Sequence, residues 1–294
     1  MPVKTLKHPV SGHTLKMGRN RPVARGPRFA LKNYLLRGAP PPPATIEYTQ
    51  KAAGALSEMY ENDKLGDCVI AGMAHVVGVL TGNAGSKPFL YTDKQIISLY
   101  SAIGGYVPGE PSTDQGCDEV TALNYWENNG AMPPHSNSSA DLHKIVGWMT
   151  VDSTNKEECQ MAMWLFENLY FGLELPDAYV NPFPSASGFT WDVAGNPDPN
   201  NGHCVVGVGY TANGITIDTW GMTGTMTYAA VAKYPNPAAN GELYTVISMD
   251  AISKANEKAP NGFDWSQLIA DFDSMGGNVS ALLGKLKSST AGTH

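Results

Sequence analysis

No run of this 294-residue chain is long or apolar enough to cross a membrane, and the first residues lack the short apolar core of a secretory signal, so an intracellular setting is expected. Cysteine is scarce. The four, at 68, 117, 159 and 204, form no CxxC pair, which argues against a structural zinc site and a dense disulfide framework and for reduced thiols. His8, His13, His135, His143 and His294 are scattered without ligand spacing, so neither a metal nor a cofactor is expected. Gly207-Val208-Gly209 has Ala212 where a dinucleotide loop needs its third glycine, and no helix follows, which excludes that motif. Charged residues make up 16%, and residues 1–46 hold no acid at all among the chain's 27, yet nine of its 20 basic side chains.

What is present begins with Leu65 to Leu80, LGDCVIAGMAHVVGVL. A Gly-Asp turn feeds an apolar run in which Ile70, Met73, Val76, Val77 and Leu80 recur at helical spacing, so Asp67 reads as an N-cap and Cys68 as the first helical residue. A thiol there meets unpaired N–H groups and the positive end of the helix dipole, which favour thiolate. Taken alone, Cys68 is equally well a small core residue. His75, seven residues on, stands about 10 Å along the axis, too far to serve Cys68 as a base, and reads as a satisfied helix histidine.

A nucleophilic cysteine needs an imidazole and a third group to orient it. The run Gly202 to Gly221, GHCVVGVGYTANGITIDTWG, supplies both. His203 opens an alternating strand, Asn213-Gly214 is a hairpin turn, and Ile215, Ile217 and Thr219 alternate on the return. The period of two lets His203 and Asp218 share one end and one face of the hairpin, with Cys204 on the other face.

These pieces resemble the papain-like cysteine peptidase superfamily, whose corresponding segments run Gly-x-Cys, Gly-His-Ala-Val…Val-Gly-Tyr and Asn-Ser-Trp-Gly; the LGDC tetrapeptide is closer to the calpain branch. The separation of 135 positions from Cys68 to His203 falls within the range of about 130 to 150 usual for papain-type enzymes. YTDKQIISLYSAIGGY and QGCDEVTALNYWENNG are similar to the family's helix, Gly-Cys loop and following helix. The resemblance implies Cys68 as nucleophile, His203 as general base and acid, Asp218 as orienting group where Asn is commoner, and Trp220 against the His–Asp pair. It places Asn62, one methylene shorter than the family's Gln, at the oxyanion position, and Asp67 in support beside Cys68. Glu119 and Val120 follow Asp118 where the family has glycines that let a substrate backbone pair, and would crowd an extended peptide.

The organisation expected is α+β with two lobes: a basic, Pro/Gly-rich arm over 1–45, a papain-like domain over 46–250 (helical lobe about 46–170, antiparallel β lobe about 171–250, site in the cleft between), and a helical extension over 251–294. Thr92–Gln95, Thr154–Glu157 and Asp264–Gln267 read as capping boxes, and strands are expected over 172–176, 203–210, 214–220, 225–231 and 243–249. The loop 181–201, with Phe183, Phe189 and Trp191, is long enough to form a cleft wall, a lid or a hydrophobic plug. A Leu-rich turn follows Gly276-Gly277. The arm either folds onto the acidic body or docks on an anionic or protein assembly partner; with little aromatic interleaving, nucleic acid is not favoured. The function expected is a Cys-His-Asp hydrolase, a peptidase or an amidase/acyl transferase, acting on a peptide or amide substrate. The alternative is a non-catalytic papain-fold building block, such as a virus or phage particle component attached through its arm.

Overall fold

The computed structural model describes residues 4–7, 12, 14–21, 29–36, 39–85, 87–133, 143–248 and 263–274. His8, His13, His135, His294, the Leu-rich turn and Arg25, Arg28 and Arg37 of the arm lie outside the described residues.

Strands β1 (Lys4–Lys7) and β2 (Thr14–Met17) form an antiparallel pair, and β3 (Ile46–Glu47) leads to helix α1 (Thr49–Leu56). Helices α2 (Cys68–Asn83), α3 (Asp93–Gly104) and α4 (Glu119–Asn129) follow, then β4 (Gly147–Thr150), α5 (Lys156–Phe166) and β5 (Leu169–Glu174). The chain continues through β6 (Phe189–Trp191), β7 (Gly202–Tyr210), β8 (Gly214–Thr219), β9 (Met222–Thr227), α6 (Tyr228–Lys233), β10 (Glu242–Ile247) and α7 (Trp265–Ser274).

One sheet organises the molecule, in the order β4-β10-β5-β7-β8-β9-β6, with β3 on β7. Its pairs are antiparallel except β6 with β9. Alternate residues of its central strands feed two cores. Tyr170, Val206, Tyr244 and Val246 join α2 and α4 in one, while Phe171, Val205, Leu243 and Ile247 join α5 and α7 in the other. That explains why every residue of β5 and β7 is buried, where a one-faced sheet would alternate. Helix α2 is apolar on nearly all sides because α1, α3, α4 and β7 surround it.

Local signals at helix starts behave as their chemistry requires. Thr92 and Gln95 form a reciprocal capping box, Asp118 accepts from the Thr121 N–H, and Asp264 accepts from the Gln267 N–H. The start of α5 lies one residue later than the Thr154 reading: Asn155 accepts from the Glu158 N–H, because Thr154 is turned back to Asp152. The strand expected over 225–231 is cut at Thr227, whose hydroxyl caps α6 by accepting from the Ala230 N–H.

Candidate active site

Cys68 begins α2 and His203 is the second residue of β7. Both are buried, and with Met59, His75, Asp218 and Trp220 they line one cavity of about 10 Å3, at the lower limit for a single water. The His203 ring stacks on Trp220 with centroids 3.9 Å apart and planes 12° from parallel, and Phe183 meets that indole in an edge arrangement at 4.7 Å. His203 Nε2 lies 2.8 Å from Thr219 Oγ1, whereas Nδ1 has no hydrogen-bond partner among the described residues. Burial pushes the His203 imidazole down to about 3 and the Cys68 thiol up to about 12; the Gly18 and Cys204 backbone N–H groups act on the thiol in the opposite direction. Both groups are therefore uncharged at neutral pH while the site is closed.

The N-terminal arm is strapped across the backbone beside the site. Gly18 accepts from the Cys117 N–H at 3.0 Å, Asn20 donates to the Cys117 carbonyl at 3.0 Å, and Arg19 donates to the Gly202 carbonyl at 3.1 Å. The fit is one of backbone on backbone: a Cβ at Gly18 would fall 1.6 Å from the Gly66 oxygen, and one at Gly202 would fall 2.3 Å from the Arg19 oxygen. Lys16 pairs with Asp114 at 2.7 Å and Arg21 with Glu174 at 2.5 Å, so the described part of the arm lies along its own acidic body.

No protein-family profile and no curated protein matches this sequence. Solved structures do match in shape. Xylellain, a cysteine protease from Xylella fastidiosa, superposes with a TM-score of 0.54 at 13% identity, over 79% of this chain and 96% of that one. Digestive procathepsin L 3 from the larval midgut of Tenebrio molitor gives a TM-score of 0.53 at 15% identity, over 78% of this chain and 76% of its own. The fold is that of the papain-like cysteine proteases.

Within this papain-like fold the sequence-based site residues separate. Cys68, His203, Asn62, Asp218 and Trp220 reach one cavity. Asp218 does not orient His203. Register pairs Asp218 with Val206, three residues from His203, so the carboxylate shares the face of Cys204 and Val206 and looks toward α2. There it lies 3.4 Å from His75 Nδ1, which also donates to the Ala55 carbonyl at 3.1 Å. Burial raises the Asp218 carboxyl well above the carboxylate range and lowers His75 to about 4, so both are favoured uncharged. Thr219, one residue on, has the parity to face His203.

Asn62 is likewise committed elsewhere. Its Nδ2 donates to the Leu65 carbonyl at 3.1 Å and Asp67 Oδ1 at 3.3 Å, with the Lys16 carbonyl at 3.4 Å, leaving no evident donor for an oxyanion. Asp67 precedes α2 without a side-chain cap; its carbonyl takes the Ile70 and Ala71 N–H groups instead. Burial, partly opposed by the Asn62 hydrogen bond, holds its carboxyl well above the ordinary range. Val120 is core rather than cleft wall, and Trp191, buried in β6, stacks on Tyr179 at 4.6 Å. Of the loop's three aromatics it is Phe183 that reaches the site, through Trp220. Glu119, expected to crowd a peptide in the cleft, is instead buried and engaged by Arg19.

Sequence reasoning missed Thr219 and the socket of Arg19; it read His75 as a satisfied helix histidine, which its bond to Ala55 bears out, but not its place beside Asp218. A strand-parity count from an assumed register was the available signal for Thr219, and the register itself was not in the sequence.

Proposed function

We propose that this chain is a cysteine hydrolase acting on peptide or related amide bonds, with Cys68 as nucleophile and His203 as base and acid. One observation carries the reading. A thiol at a helix N-terminus and an imidazole whose Nδ1 is unpartnered, whose Nε2 is tied to a hydroxyl and whose face is covered by an indole line a single cavity.

With Nε2–H donating to Thr219, Nδ1 holds the lone pair that takes the Cys68 proton. The sulfur then attacks the carbonyl carbon, and the developing oxyanion is met by the Cys68 backbone N–H, one of the helix's unpaired first-turn donors. His203 returns the proton to the leaving amine, giving a thioester. Water, deprotonated by His203, hydrolyses the thioester; an amine in its place would make the reaction an acyl transfer. Trp220 excludes bulk water from the imidazole throughout. The arm must move from beside the site first, and opening relieves the burial that now keeps thiol and imidazole uncharged.

The test is iodoacetamide labelling of Cys68 from about pH 4 to about pH 9, followed by peptide mapping, since Cys117, Cys159 and Cys204 are also free thiols. Wild type is compared with Gly18→Ala, whose new methyl group cannot coexist with Gly66 in the docked arm. Slow labelling of wild type, with Gly18→Ala fast below about pH 6 and slowed again by adding His203→Ala, is the expected pattern. Labelling of Gly18→Ala only above about pH 8, indifferent to His203, overturns the proposal and leaves a papain-like fold without a nucleophile.

A further inference from the structure

The most elaborate interaction of the arm with the body is around one side chain. Arg19 is wholly buried, its side chain 0% exposed. Its Nε reaches both oxygens of Glu119, at 3.2 and 3.1 Å, Nη2 donates to Glu242 Oε1 at 2.9 Å, and Nη1 donates to the Asn240 carbonyl at 2.9 Å. Tyr244 donates its hydroxyl to Glu242 from behind. Room for this comes from Gly172: a Cβ there would fall 2.4 Å from Glu119 Oε1 and 2.8 Å from Arg19 Nε. Burial raises Glu119 well above the carboxylate range even against the Arg19 charge, while for Glu242 the hydrogen bond from Glu119 and the Arg19 charge overcome burial and lower it. The socket thus sets two carboxylates and a backbone carbonyl around one guanidinium.

Two features distinguish this from an ordinary internal ion pair. The backbone on both sides of Arg19 is gripped as an extended strand by Cys117 and Gly202, through contacts that read no side chain. The gripped residue immediately before it, Gly18, packs against the backbone of Gly66, two residues before Cys68. A guanidinium socket and a backbone clamp therefore adjoin the loop that leads into the nucleophile helix.

We propose that Glu119, Glu242, Tyr244 and the Asn240 carbonyl form a recognition site for an arginine side chain on an extended peptide. The chain's own Arg19 occupies it in the closed form, and the arginine of a substrate peptide occupies it when the arm withdraws. The substrate class so assigned, an arginine-bearing peptide, rests on the hydrolase reading, but the binding site does not need Cys68 to react.

The experiment reads binding alone. Full-length Arg19→Ala is titrated with ethylguanidinium and, in parallel, ethylammonium while thermal unfolding is followed; the peptide acetyl-Gly-Arg-Asn-amide is then measured by calorimetry. Expected is a saturable rise in melting temperature with ethylguanidinium, absent in wild type and much smaller with ethylammonium. The peptide should bind Arg19→Ala and lose about tenfold or more in affinity when Glu119→Gln is added. Equal effects of the two cations, or peptide binding indifferent to Glu119, overturn the proposal. An Arg19→Ala chain that neither folds nor is rescued by ethylguanidinium also overturns it, making Arg19 an internal anchor. Failure here with rapid His203-dependent labelling of Cys68 would leave the hydrolase standing; the reverse outcome would leave a peptide-binding protein.

Discussion

At the scale of single residues, the site turns on one hydroxyl. Thr219→Val keeps the shape of the side chain but removes the group 2.8 Å from His203 Nε2, so the imidazole loses the partner that fixes its tautomer. The expected outcome is a fall of about tenfold to a hundredfold in the labelling rate of Cys68 in the Gly18→Ala background, with a displaced pH profile. Asp218→Asn should change that rate less, because the carboxylate lies against His75; a larger effect of Asp218→Asn would restore it as the orienting group. Arg19→Ala leaves Glu119 and Glu242 buried without their cation, and loss of one partner of such a buried ion pair costs about 3–5 kcal/mol. Chemical denaturation of the full chain measures this, and a loss below about 1 kcal/mol would mean that water reaches the socket freely.

At the scale of elements, caps and registers decide what periodicity leaves open. The capping box at Thr92 and the side-chain cap at Asp264 were legible because both partners lie within four residues, although Gln267 turns to Asp271 instead of completing a box with Asp264. The strand expected over 225–231 was not separable from a helix by its alternation, and Thr227 is what divides it. Its hydroxyl accepts from the Ala230 N–H at 3.2 Å and donates to Asp192 at 2.6 Å. Thr227→Ala should cost about 1 kcal/mol in urea unfolding with an unchanged denaturant slope. The hairpin of β7 and β8 was equally legible from Asn213-Gly214, but its pairing shifts between Gly207 and Gly209, and an irregularity of one residue exchanges the faces of all that follows. That shift separates Asp218 from His203 and brings Thr219 to it.

At the scale of the whole molecule, the sheet buries both its faces and takes the ionisable site with it. His203 is held near 3, below the ordinary value of about 6.5, so the unfolded chain takes up a proton that the folded chain refuses until the pH is far lower. Its contribution to stability is present above about pH 6.5 and is lost as the pH falls toward 3, with a slope approaching about 1.4 kcal/mol per pH unit. His75, held near 4, adds in the same direction over a narrower window. The stability of wild type relative to His203→Gln should therefore decline between about pH 7 and about pH 4. Parallel pH profiles would mean that His203 is solvated in the folded state.

The sequence by itself determined the α+β class, the papain-like arrangement of segments, and a cysteine and a histidine at the starts of the helix and strand that meet. Those follow from local spacing, from turn chemistry and from residues whose neighbours in the chain are their neighbours in space. Only the tertiary structure decided that Thr219 rather than Asp218 meets His203, that Asn62 is tied to Leu65 and Asp67, and that Arg19 lies in an acidic socket beside the site. Each of these depends on strand register or on contacts between segments distant along the chain, where a shift of one residue changes the partner while the local pattern stays the same.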